Sequence, residues 1–103
     1  YVLFNKTMGM FKVGISKDVD QRLVQVNKGM GRAKWQLFWK SEVAYHCLRE
    51  TEKQVNTLLQ QYYRVPDPLV YSFDGVYESY VIDNATGHIP LFLIKKIFEN
   101  NKI

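Results

Sequence analysis

Arg22, Glu52 and Lys12 are the side chains of this sequence whose types and spacing could handle a phosphate. Val19, Leu23 and Val26 repeat at helical spacing, and on a wheel of about 100° per residue Arg22 stands about 100° from Leu23, at the border of that apolar face. An arginine there lays its stem on the core and offers a rigid fork of donors to an anion; the ordinary alternative is a surface arginine. Glu52 belongs to a second, longer helical repeat. With Val55 at the centre of its buried face, Glu52 lies about 60° away, while Glu50 lies about 140° away on the other side and should face water. A carboxylate at such a border pairs with a neighbouring base or serves as the hard oxygen ligand that Mg²⁺ or Mn²⁺ prefers, with Asn56 one turn on to support it.

Lys12 sits in a strand-like run, where side chains alternate, so it shares a face or edge with Gly14 and with Tyr1 or Val2 of a paired strand. A lysine near a tyrosine hydroxyl favours the phenolate and lowers a pKa that is otherwise about 10. A solvated strand lysine is the alternative. Lys28, Arg32 and Lys34 lie in the glycine-bearing stretch 27–34, which could track a nucleic-acid backbone or simply be a solvated connection. Lys95, Lys96 and Lys102 read as a solvated helix face. His46 falls opposite Val55 and so should be exposed, and His88 has no metal-ligand partner in sequence. Trp35, Trp39, Tyr62 and Tyr63 could stack bases, but aromatics at these spacings are more often core, and Glu78 reads as a strand-edge residue rather than a catalytic one.

The elements that must carry these residues follow from local pattern. Residues 1–4 and 11–15 are β-rich runs around a turn-prone stretch, a hairpin signal. Ser16 stands where an N-cap belongs, Asp18 and Asp20 fall in the expected first turn, and Gly29 and Gly31 end the first helix. Residues 35–39 read as a third strand. The longest helix carries Ala44, Leu48, Thr51, Val55, Leu58, Leu59 and Tyr62 on one face, and Pro66 and Pro68 close it off. A strand pair over 69–73 and 76–82, joined by Asp74-Gly75, and a last helix from Pro90 to about Asn100 complete the order. The class is α+β, with a small central antiparallel or mixed sheet flanked by helices, because the first hairpin forbids a purely parallel sheet.

At 103 residues the chain suits one small domain with one core. With 47% apolar and 23% charged residues it belongs with folded globular chains rather than disordered ones. A formal net charge of +4 favours anionic partners such as nucleic acid. Cys47 is the one cysteine, so no disulfide forms within the chain and no multi-cysteine zinc site exists; a reducing, cytoplasmic compartment fits. The apolar run at 90–94 is far short of the roughly 20 residues of a membrane helix. The chain opens on Tyr1 inside a strand-like run, which reads as a fragment or a chain lacking a few N-terminal residues.

In order and spacing these residues resemble the GIY-YIG nuclease superfamily over about residues 1–82. Tyr1-Val2-Leu3 matches the end of the first signature, Lys12-Val13-Gly14 the second, Arg22 the helical arginine and Glu52 the glutamate. Lys12 stands where most members have tyrosine. This is closer to a DNA-binding branch common in phages and mobile elements, with a Lys-Ile-Gly signature and a terminal Gly-x-x-Glu-aromatic feature that Gly75 to Tyr80 resembles with one aromatic displaced. The resemblance implies a GIY-YIG-like fold and a DNA endonuclease using one Mg²⁺ or Mn²⁺. Tyr1 would be the base, Lys12 would poise or share it, Arg22 would clamp the phosphate and Glu52 would hold the metal. Lys12 in place of tyrosine keeps open a DNA-binding module of the same fold that does not cleave, and a protein-interaction domain is a further alternative.

Overall fold

The computed structural model describes residues 1–43, 45–67, 69, 78–82 and 89–100. Strands β1 (Val2–Asn5) and β2 (Met10–Val13) form the expected hairpin, with Val2 opposite Val13 and Leu3 opposite Lys12. Its turn is closed by Asn5, whose Oδ1 accepts from Met8 N at 3.0 Å, and by Gly9 at φ 64°, a conformation that glycine adopts without strain. Strand β3 (Gln36–Trp39) adds outside β1 and strand β4 (Ser79–Val81) outside β2, so the order is β3-β1-β2-β4. Every pairing among the described residues is antiparallel. The α+β class therefore stands in its antiparallel form.

Among the described residues three α-helices cover the sheet: α1 (Val19–Val26), α2 (Leu48–Tyr62) and α3 (Leu91–Asn100). Period-2 alternation sends the central strands' side chains to two separate cores. Val2, Phe11, Val13 and Tyr80 pack with Val55 and Leu59 of α2 and Ile94 and Phe98 of α3. On the opposite face Tyr1, Leu3 and Met10 pack with Val26, Leu23 and Val19 of α1 and with Trp35. The sheet is thus sandwiched, with β1 and β2 buried on both sides. No helix among the described residues is long and apolar enough to cross a membrane.

Several boundaries differ from the sequence expectation, for local reasons. Asp18, not Ser16, caps α1: its Oδ1 accepts from Gln21 N at 3.0 Å, while Ser16 Oγ is engaged one step earlier with Asp18 N and O, at 3.1 and 2.9 Å. Helix α1 stops at Val26 with Asn27 as its C-cap, and Gly29 and Gly31 (φ 77° and 61°) shape the following turn rather than the helix end. Ile15 and Trp35 lie just outside β2 and β3. Helix α2 begins only at Leu48, after a 3₁₀ turn over Tyr45–Cys47, and Ala44 lies outside the described residues. It ends before the prolines, because Tyr63 is already extended at φ −124° and ψ 145°. Pro90 is the residue before α3, its carbonyl accepting from Ile94 N at 3.2 Å. Of the expected second strand pair, Ser79–Val81 is seen as β4; apart from Leu69, the strand expected at 69–73, the Asp74-Gly75 turn and the start of 76–82 lie outside the described residues, as do Pro68, His88 and Lys102.

Candidate active site

The hairpin ladder extends one pair past the strands. Gly14 N donates to Tyr1 O at 3.1 Å and Tyr1 N donates to Gly14 O at 2.9 Å. Tyr1 therefore stands on the face of Leu3 and Lys12, while Val2 faces the other core, which decides between the two residues the alternation left open. The Tyr1 ring folds directly over Gly14: a Cβ added there would lie 2.6 Å from Tyr1 Cζ. Room for this ring, rather than backbone conformation, is what requires glycine.

Lys12 is not a solvated strand lysine. It is only 2% exposed, and its Nζ lies 5.3 Å from the centroid of the Trp35 ring. Burying an ammonium costs several kcal/mol, and a desolvated cation–π contact offsets about 2 kcal/mol of that. Trp35 is held for this task by Asn27, whose Oδ1 accepts from Trp35 N at 2.6 Å and whose Nδ2 donates to Trp35 O at 3.0 Å. Trp35 is thus a buried core residue, and Trp39 and Tyr63 pack edge-on against Phe98 and Phe11, whereas Tyr62, expected on the buried face of α2, is exposed in its last turn.

Arg22 is half-buried on α1, one turn after the cap, with its N–H donating to Asp18 O at 3.1 Å. Glu52 is half-buried on α2, whereas Glu50 is exposed and bonded to Gln54, as the wheel requires. Burial and the nearby charge of Glu78 hold the Glu52 carboxyl above its ordinary range, opposed by a hydrogen bond from the Ile15 N–H and by Arg22. Asn56 does not touch that carboxylate. Its Nδ2 donates to Glu52 O at 3.0 Å and its Oδ1 accepts from Tyr80 OH, so it braces the helix backbone.

These elements converge. Tyr1, Lys12, Arg22 and Glu52 line one cavity of about 170 Å³, together with Val13, Gly14, Ile15 and Glu78. Arg22 comes from the α1 layer and Glu52 from the α2 layer, and they meet where the chain leaves β2. Glu78 stands at the strand edge, as expected: it is exposed just ahead of the edge strand β4, next to Ser79, which pairs with Lys12, and it also lines the cavity. The sequence signal for it was the Gly-x-x-Glu feature, whose other positions gave no reason to bring it near Glu52. The donor set suits a hard divalent cation, because among the described residues the cavity is lined by two glutamates and by no cysteine, methionine or histidine. Among the described residues no three of His, Cys, Asp and Glu stand close enough together to hold an ion by themselves. Any cation held by carboxylates here would therefore need water or other oxygen ligands as well, as Mg²⁺ commonly does.

Larger hollows exist elsewhere. One of about 650 Å³ runs between the start of α1 and the segment after β3, lined by Lys17, Lys40, Asp18, Asp20 and Glu42. Its charges are of mixed sign, and among the described residues neither an arginine nor a tyrosine lines it, so the smaller cavity is the better candidate on chemistry. Lys28, Arg32 and Lys34 are exposed on the connection from α1 to β3, away from the cavity lining. That connection is pinned by Asn27 and by Asn5 Nδ2, which donates to Ala33 O at 2.8 Å. His46 is exposed, and so are Lys95 and Lys96. No protein-family model, curated protein or solved structure matches the chain.

Proposed function

We propose that this domain is a divalent-metal-dependent DNA endonuclease that hydrolyses phosphodiester bonds in the manner of the GIY-YIG nucleases. The observation that carries the reading is the shared cavity of Tyr1, Lys12, Arg22 and Glu52, drawn from the residue before β1 and from β2, α1 and α2. These are the four residues that the signature resemblance singles out, and nothing in their sequence separation brings them together.

Phosphodiester hydrolysis needs a base for the attacking water, positive charge around the crowded phosphorus and stabilisation of the leaving oxygen. The Tyr1 oxygen takes the proton from water, and the Lys12 ammonium on the same face favours the charged form of that oxygen. Arg22 fixes the non-bridging oxygens with its fork of donors and neutralises the charge that grows on them. Glu52 would hold a divalent cation, which when bound would supply charge stabilisation for the leaving oxygen. Lys28, Arg32 and Lys34 bind neighbouring phosphates and align the strand. The single cysteine suits action inside a reducing cell, including a host cell if the gene is carried by a phage or mobile element.

Incubation of the purified domain with supercoiled plasmid and Mg²⁺ or Mn²⁺ tests the reading. Nicking is expected for the parent chain and should fall by about 10²-fold or more in Arg22→Ala and Glu52→Gln, as for other losses of transition-state charge stabilisation. Nicking that survives both substitutions overturns it. The enclosure of Lys12 beneath Trp35 favours a second reading, a domain that holds DNA without cutting it. That reading predicts binding that weakens steeply with salt and no nicking under any metal.

A further inference from the structure

We infer that Glu78 completes the cation site with Glu52, so that a divalent cation and a nucleic-acid phosphate bind this cavity cooperatively. The inference rests on the nuclease reading and adds to it a residue and a coupling. Glu78 lines the same small cavity as Glu52, and it stands close enough for its charge to be felt both there and at Tyr80. Glu52 already accepts from the Ile15 N–H and is half-buried, which commits and orients it, whereas Glu78 is exposed at the rim. One oriented carboxylate and one accessible carboxylate, with the remaining positions left to water and phosphate oxygen, is an ordinary Mg²⁺ arrangement.

The charges around the cavity explain the coupling. Among the lining side chains the formal charges of Lys12 and Arg22 balance those of Glu52 and Glu78, and burial pulls the pKa of the Tyr1 ammonium down to about 6, so that at pH 7 the cavity alone offers a phosphate little net attraction. A phosphodiester entering alone meets two carboxylates; a divalent cation bound between them reverses that balance. Each partner therefore raises the affinity for the other by the same factor, as linkage requires. The rim acid also discriminates, because it repels phosphate until a cation is present.

Two binding measurements test this without relying on cleavage. Mn²⁺ binding to the free domain, followed by loss of the electron paramagnetic resonance signal of free Mn²⁺, should weaken about tenfold or more in Glu78→Gln and recover largely in Glu78→Asp. Affinity for a fluorescein-labelled duplex, measured by anisotropy with Ca²⁺ and with EDTA, should rise with Ca²⁺ in the parent chain. In Glu78→Gln that rise should vanish, while affinity in EDTA is equal or higher. Because Glu78 is exposed, the variant should melt with the parent chain, and melting curves check that it is folded. Parent-like Mn²⁺ binding in Glu78→Gln, no Mn²⁺ binding by the parent chain, or a Ca²⁺ effect that persists in the variant overturns the inference. In all three cases DNA binding can stand. A parent chain that binds no duplex with either additive overturns the nuclease reading itself.

Discussion

At the scale of single residues, the site depends on one absent side chain and one buried hydroxyl. Gly14 leaves the space that the Tyr1 ring fills, so Gly14→Ala should cost about 1–3 kcal/mol, a typical overpacking cost, and displace the proposed base. Urea unfolding and plasmid nicking read the two effects, and nicking should fall further than the stability loss explains. Tyr80 is fully buried, and burial, with the charge of Glu78, raises its hydroxyl above the ordinary tyrosine value. The folded state then holds that proton more tightly than the unfolded chain. Its contribution is complete below about pH 10 and is lost as pH climbs from there toward the folded value. Tyr80→Phe should be about 1–2 kcal/mol less stable at pH 7, because Asn56 loses a donor, yet its urea midpoint should fall less between pH 9 and 11. Arg22 and Glu52 were legible because each sits beside a clear apolar repeat. The burial of Lys12 was not, since it depends on a tryptophan 23 positions away held in place by Asn27.

At the scale of elements, α1 matters most for its length. Eight residues form a marginal helix, so its cap carries a large share of its order. Asp18→Ala should cost about 1 kcal/mol by urea unfolding, and because Arg22 begins the next turn, nicking should fall even at temperatures where the domain stays folded. Helix and strand identities were readable here because periods of 3.6 and 2 reflect burial on one face. The boundaries were less so. Ser16 and Asp18 are both good caps, and only the bond from Ser16 Oγ back to Asp18 decides which one opens the helix. Likewise the late start of α2 follows from a 3₁₀ turn that the apolar repeat cannot distinguish from helix.

For the whole molecule, binding should be governed by charge outside the cavity as much as within it. Replacing Lys28, Arg32 and Lys34 together by alanine should lower affinity for any duplex and reduce the slope of log affinity against log salt by about 0.9 for each phosphate that is no longer neutralised. Anisotropy across a salt series measures both, and an unchanged slope would remove these residues from the interface. The convergence of the site was the least legible feature. The order of strands and helices could be read along the chain, but which layer each helix joins was fixed only by the two-faced burial of β1 and β2. That sandwich has a mechanical side. Arg22 is rooted in one core and Glu52 in the other, with the sheet between them, so a cation and phosphate held across the cavity would act as a rivet through three layers. Occupancy would make the two cores come apart together rather than one at a time, and the substrate would become, while bound, part of what holds the molecule shut.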